Sequence, residues 1–197
     1  MSQIFFLMGK SASGKDELAG RILADEQLCL KPVVLYTTRP KREGEKNGRE
    51  YIFISDDERL KLHKEGKVIE ERVYHTVFGD WYYFTVADEG LNINGEDNYF
   101  VINTLEAFLK YREYFGEERV IPIYVEVTPE IRMKRALERE GRQAKPSIDE
   151  VKRRFAADDV DFAEEKLADA GITNRFSNDG DIDECFLEIK KLIKGKL

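Results

Sequence analysis

Gly9, Lys10, Ser11, Ala12, Ser13, Gly14, Lys15 and Asp16 follow the spacing GxxxxGK, directly behind the apolar run Ile4–Met8 and ahead of a helix-patterned stretch that starts at Lys15 and runs to about Leu28. In such a strand-loop-helix setting glycine lets backbone N–H groups turn inward around phosphate oxygens. The helix N-terminus adds its positive dipole end, and the lysine reaches the β and γ phosphates. The chemistry points to ATP or GTP, with Gly9, Ser11, Ala12, Ser13, Gly14, Lys15 and Asp16 as contacts. A Gly/Ser turn without a ligand is the plainer reading, and the strand and helix on either side argue against it. Asp16 stands where a Ser or Thr hydroxyl usually meets Mg²⁺. A carboxylate also ligates Mg²⁺, directly or through water, so Asp16 is the candidate metal ligand. Without a cation it would set a negative charge beside the phosphates.

A second constellation lies in the segment from Thr37 to Tyr51, where Arg39, Arg42 and Tyr51 could meet on one anion. Arginine forks bind phosphate bidentately and a tyrosine hydroxyl adds one directed bond. The bland alternative is a solvated basic hairpin. Further on, Arg135 and Arg139 are four residues apart and share one helix face. As single residues they read equally well as solvated helix arginines. His63 and His75 fall in no motif that needs an imidazole.

The run Thr37-Thr38-Arg39 through Arg42, Gly44, Glu45, Gly48, Tyr51 and Phe53 closely resembles the nucleoside-monophosphate segment of the guanylate kinase family, TTRxxRxGExxGxxYxF. The likeness follows the family order along essentially the whole chain. It implies a P-loop NTPase fold with a parallel core sheet, a small β lobe for the acceptor nucleotide and a helical lid. It implies ATP as donor, Mg²⁺ as cofactor and GMP or dGMP as acceptor. By the same resemblance Arg39, Arg42, Tyr51 and Tyr83 hold the acceptor phosphate, while Glu70, or Glu71 in the other register, and Thr85 read guanine. Arg135, Arg139 and Arg154 close the lid over the transferring group, and Asn178 lies close to the adenine. The catalytic set is then Lys15, Arg39, Arg135, Arg139 and Arg154.

Several positions depart from the family pattern. Phe84 stands where glycine is usual, and the segment from Glu70 to Tyr83 is longer, so a second register puts the family glycine at Gly79. Asn103 and Leu105 fall where the family has acidic residues, and Leu35 where it has serine. Fewer carboxylates leave guanine's N–H donors with fewer acceptors. A kinase of the same fold for another monophosphate therefore stays open, as does a non-catalytic guanylate kinase-like binding module. The aromatics from Trp81 to Phe84 also suit plain packing of a β lobe.

The elements that must position these residues alternate short apolar runs with longer charged stretches, the pattern of a parallel sheet with crossover helices in an α/β fold. Strands are expected over 4–8, 33–37, 99–102 and 121–127, with short strands over 51–54, 68–74 and 81–84. Helices are expected over 15–28, 56–64, 104–114, 129–139, 148–167 and 182–193. Pro129 behind Thr128 and the Ser147/Glu150 pair mark two helix starts. The charged, glycine-bearing stretch from Glu138 to Lys145 reads as a loop outside the core. At 197 residues one domain is expected, with core 1–36, 91–129 and 157–197, an acceptor lobe 37–90 and a lid 130–156.

A net charge of −7 argues against nucleic acid as partner. Two cysteines without metal or disulfide spacing fit a reducing, cytoplasmic setting. The first apolar run is far too short for a membrane span. The expected partners are small nucleotides, with no nucleic acid and no membrane, and the chain a monomer or homodimer.

Overall fold

The computed structural model describes residues 2–76, 78–142 and 146–197. Five short strands assemble into a wholly parallel sheet in the order β2-β7-β1-β8-β9. They are β1 (Ile4–Gly9), β2 (Leu30–Pro32), β7 (Asn98–Ile102), β8 (Val120–Glu126) and β9 (Arg175–Ser177). β1 is central and buried along its whole length, which explains a run of five consecutive apolar residues rather than an alternating one. Phe5 and Leu7 pack with Leu18 and Ile22 of α1 (Lys15–Ala24) and with Ile189 and Ile193 of α7 (Ile182–Lys194). Ile4, Phe6 and Met8 face the other way, onto Phe108 and Tyr111 of α3 (Leu105–Phe115) and onto Phe162 and Leu167. The class is α/β, as the alternating pattern implied.

A second sheet of four strands, order β4-β3-β6-β5, stands apart from the first. Its strands are β3 (Tyr36–Thr37), β4 (Ile52–Phe53), β5 (Val68–Thr76) and β6 (Gly79–Val86), and α2 (Asp56–Lys64) connects β4 to β5. Ser55 and Glu58 form a reciprocal capping box at the start of α2, satisfying two N–H groups that the first turn leaves open. Gly79 has φ +105° where it opens β6 opposite Thr76, a conformation that glycine adopts without a Cβ penalty.

The sequence pattern misplaced three elements. The expected core strand 33–37 is displaced: Leu30–Pro32, just ahead of it, joins the core sheet beside β7, and of the expected residues only Tyr36–Thr37 form a strand, in the second sheet. An apolar run signals burial, and here residues 33–36 are only half-buried where the chain passes from one sheet to the other. The expected helix 148–167 breaks into α5 (Ile148–Asp161) and α6 (Glu164–Asp169), with Phe162 buried at the break. The 138–145 stretch is not wholly loop, since α4 (Pro129–Glu140) continues through Glu140. Glu140 is buried and accepts the Ser147 N–H at 2.8 Å; the rest of that expectation, residues 143–145, lies outside the described residues. Ser147 does cap α5 through the Glu150 N–H, whereas Thr128 occupies the cap position of α4 without a side-chain bond.

Candidate active site

At the C-terminal end of β1 the chain turns through Lys10–Ser13 and enters α1 with Gly14 at φ +84°. Both glycines of the motif are required by close approach. A Cβ on Gly9 would come within 2.8 Å of both Ser13 Oγ and the Val125 carbonyl, and one on Gly14 within 2.5 Å of Asn178 Nδ2. Asn178, at the end of β9, is buried and donates to the Ser13 carbonyl at 2.8 Å. It therefore braces the loop from behind. Ser13 Oγ and Asn178 Oδ1 are buried without hydrogen-bond partners.

The loop is also tied to the two helices beyond β8. Asp158 of α5 accepts the Ser11 N–H at 2.8 Å, and the buried Arg132 of α4 donates to the Ser11 carbonyl at 3.0 Å and to Asp158 at 2.9 Å. Lys10 pairs with Asp159 at 2.8 Å, and the Arg132 guanidinium lies 4.3 Å from the centre of the Phe155 ring. Nothing in the sequence pattern singles out Arg132, Asp158 or Asp159, because their partners are 26 to 149 residues away along the chain.

A cleft of about 550 Å³ opens beside this loop, lined by Ala12, Gly14, Asp16, Arg135, Arg139 and Asn178 among others. Arg135 and Arg139 thus share a cleft with the phosphate loop, and no ion pair engages either among the described residues. Arg154 is not in that cleft. It lies 3.6 Å from Glu140 and 3.9 Å from Glu150, held back on α5. Asp16 is exposed on the cleft wall and forms no ion pair with Lys15. Among the described residues no group of three or more His, Cys, Asp and Glu could hold a metal ion by itself. The exposed carboxylate of Asp16 on the cleft wall is a donor that suits Mg²⁺, which usually rests on one or two carboxylates, water and substrate phosphates.

The second sheet gathers the other candidates. Arg39 is buried. Its Nε donates to Tyr83 Oη at 3.1 Å, and its two terminal nitrogens hold Glu45 at 3.0 and 2.8 Å. The guanidinium also lies over the rings of Tyr51 and Phe53 at 5.5 and 5.4 Å. The Arg39 guanidinium and the Arg42 N–H hold the Glu45 carboxyl down at about 2. The Arg42 side chain is exposed. Tyr51, Tyr83, Tyr74, Trp81, Thr76 and Arg72 surround a cleft of about 440 Å³.

Strand pairing sets which residues face each other across β5 and β6. Glu70 faces Thr85, Arg72 faces Tyr83, Tyr74 faces Trp81 and Gly79 faces Thr76 at the start of β6. Phe84 points to the opposite face, fully buried and stacked on Tyr36 at 5.6 Å. Glu71 is taken by Arg59, at 3.0 Å to both oxygens, and by His63 at 2.9 Å. Glu70 is buried beside Thr85 and Asn103, and desolvation is the main cause holding its carboxyl above the usual range. Leu105 is core.

A strand-loop-helix phosphate cradle at the C-terminal end of the central strand of a parallel α/β sheet, with arginines in the cleft beside it and a second sheet bearing an Arg/Tyr cluster, defines a P-loop phosphotransferase architecture. The family model for guanylate kinase matches residues 1–194. A guanylate kinase of Porphyromonas gingivalis is 29% identical over 195 residues, covering 98% of this chain and 97% of that one. One from Anaplasma phagocytophilum is 29% identical over 171 residues, covering 85% and 70%. The crystal structure of guanylate kinase from Anaplasma phagocytophilum superposes with a TM-score of 0.59 at 22% identity, over 99% of this chain and 86% of that one. The chain belongs to the guanylate kinase family.

Proposed function

We propose that this protein transfers the γ-phosphate of ATP to GMP or dGMP, giving ADP and the nucleoside diphosphate. Family membership supports the phosphotransferase activity and its acceptor. The observation that carries the site is the pairing of a braced phosphate loop with two arginines, Arg135 and Arg139, that have no ion-pair partner of their own among the described residues. In a chain with 39 acidic residues, side chains left unpaired beside a backbone anion cradle are suited to phosphate.

In this reading the loop N–H groups and Lys15 hold the β and γ phosphates, and Asp16 supplies one carboxylate to Mg²⁺. When bound, Mg²⁺ neutralises charge on the β and γ oxygens. Arg39, Arg42, Tyr51 and Tyr83 hold the acceptor phosphate in line. One of its oxygens forms the new bond to the γ phosphorus as the β,γ-bridging P–O bond breaks, and ADP leaves. Arg135 and Arg139 stabilise charge on the equatorial oxygens, and Arg154 joins them only if α5 releases it from Glu140 and Glu150. Asn178 acts as a brace for the loop on the nucleotide side. The lobes 37–90 and 130–156 close on the core, which excludes water. A cytoplasmic monomer or homodimer working on small nucleotides goes with this reading; among the described residues no helix is long and apolar enough to cross a membrane.

The test is ADP release from ATP and Mg²⁺ with GMP, dGMP, AMP, CMP and UMP offered separately. Turnover is expected with GMP or dGMP, reduced at least about 100-fold in Lys15→Ala, the scale for removing a charge-stabilising group. Binding of acceptor without turnover in any arm would leave a binding module instead.

A further inference from the structure

Both main-chain groups of Ser11 are taken by one ion pair. The Ser11 N–H donates to Asp158 Oδ2 at 2.8 Å, Arg132 Nε donates to the Ser11 carbonyl at 3.0 Å, and Arg132 Nη2 donates to that same Asp158 oxygen at 2.9 Å. The three bonds close a ring that fixes the peptide planes on either side of Ser11. The Arg132 side chain is 3% exposed and that of Asp158 15%, so little water competes for either. The GxxxxGK spacing offers Ser11 as a phosphate contact, yet its N–H already has a carboxylate acceptor.

The Ser11 carbonyl and the Ala12 N–H belong to one planar trans peptide and point in opposite directions. With Arg132 on the carbonyl, the Ala12 N–H is turned away from Arg132. Ala12 lines the cleft beside the loop, and among the described residues no acceptor meets its N–H. A cation on the carbonyl also polarises the peptide and makes that N–H a stronger donor. Ala12 has φ +61°, a conformation that persists in a residue with a Cβ only where its surroundings impose it. The clamp acts on the peptide next to that strain. Arg132 also lies three residues before Arg135 and seven before Arg139 on α4, a spacing that puts all three on one helix face. One anchor therefore holds the loop and the helix that carries the cleft arginines.

We propose that Arg132 is a positioning residue for phosphoryl transfer: held by Asp158, it aims the Ala12 N–H at the ATP phosphates and fixes the first turn of α4 against the loop. The Ser11 N–H serves this clamp and not the nucleotide. Arg132 touches neither nucleotide and acts through the Ser11–Ala12 peptide. The inference deepens the kinase reading and rests on it.

The experiment follows the Ser11 and Ala12 amide proton signals by nuclear magnetic resonance as ATP and Mg²⁺ are added, and measures kcat and KM for ATP and for GMP. The proteins are wild type, Arg132→Met, Arg132→Lys and the double variant Arg132→Met with Asp158→Asn, each with its thermal midpoint. In wild type the Ala12 signal should move downfield as its N–H gains a phosphate acceptor, and the Ser11 signal should move far less. Arg132→Met should lose the Ala12 shift and lower kcat/KM for ATP by about 10-fold or more, the scale of a lost hydrogen bond from a charged group, with KM for GMP unchanged. Arg132→Lys keeps the charge without the fork that spans Ser11 and Asp158, and should recover only part of the loss. The double variant should stay as poor toward ATP as Arg132→Met, and it carries the comparison if Arg132→Met, with Asp158 left unpaired, does not fold. A double variant restored to wild-type kcat/KM would show that Arg132 only neutralises Asp158, and would overturn the proposal. A wild type whose Ser11 signal moves as far as that of Ala12 would overturn it too, as would a lowered midpoint with unchanged ATP kinetics. An Ala12 shift on ATP without turnover of any acceptor would sink the kinase reading and keep this one, whereas turnover with the Ala12 signal unmoved would do the reverse. Neither shift nor turnover would end both.

Discussion

Ala12 has φ +61° in the phosphate loop, a left-handed conformation in which its Cβ crowds the carbonyl. Its neighbour Gly14 has the same sign of φ without a Cβ. The loop thus carries strain at one position and relieves it at the other. Ala12→Gly should stabilise the protein by about 1 kcal/mol, the usual cost of this conformation for a residue with a Cβ. Thermal or urea unfolding checks it, and an unchanged or lower midpoint would show that the Ala12 methyl is needed for packing. Gly14→Ala should do the opposite, because its new Cβ would meet Asn178 Nδ2 at 2.5 Å. The loop glycines were legible from spacing alone. The strain at Ala12 was not, since an alanine gives no sign of the φ it must adopt.

Among the elements, the β3–β4 region is held to β6 by the buried Arg39, whose guanidinium binds Glu45 and Tyr83 at once. Glu45 has a folded pKa of about 2, below its ordinary 4.5. A depressed carboxyl pKa contributes stability that is fully present above the unfolded value and is lost as pH falls through the folded value. The acceptor lobe should therefore loosen between about pH 4.5 and pH 2, read by hydrogen exchange or by near-ultraviolet signals of Tyr51 and Tyr83. Glu45→Gln should remove that part of the acid dependence and be less stable than wild type at pH 7. An unchanged acid profile in the variant would show that other carboxylates control the lobe. The motif named Arg39 and Glu45 as parts of one segment, but only the fold shows that much of the guanidinium is committed to Glu45.

The same contrast runs through the elements as a whole. β1 and the start of α1 read directly from sequence because the apolar run, the glycines and the helix pattern are contiguous, although α1 ends at Ala24, short of the expected 28. The 33–37 strand misled because its apolar residues lie half-buried in the passage between two sheets. The Arg132–Asp158–Ser11 contact, which ties α4 and α5 to the phosphate loop, had no local signal. Each of its residues looks like an ordinary charged or polar residue until the chain brings them together.

At the scale of the molecule, a chain of net charge −7 binds anions only where cations are concentrated. Among the described residues, Arg135 and Arg139 line the cleft beside the phosphate loop, and Arg72 lines the cleft of Tyr51 and Tyr83 on the second sheet, where Arg39 is already paired with Glu45. Donor and acceptor phosphates would be drawn to one each, and closing the lobes would bring them in line. The most direct measurement of this account follows the label from γ-³²P-ATP in the presence of GMP and Mg²⁺. The label should appear in GDP and not in inorganic phosphate, and it should vanish in Lys15→Ala. Label released as inorganic phosphate at the same rate with and without GMP would mean that the phosphate loop turns over ATP without serving an acceptor, and would contradict the phosphotransferase account.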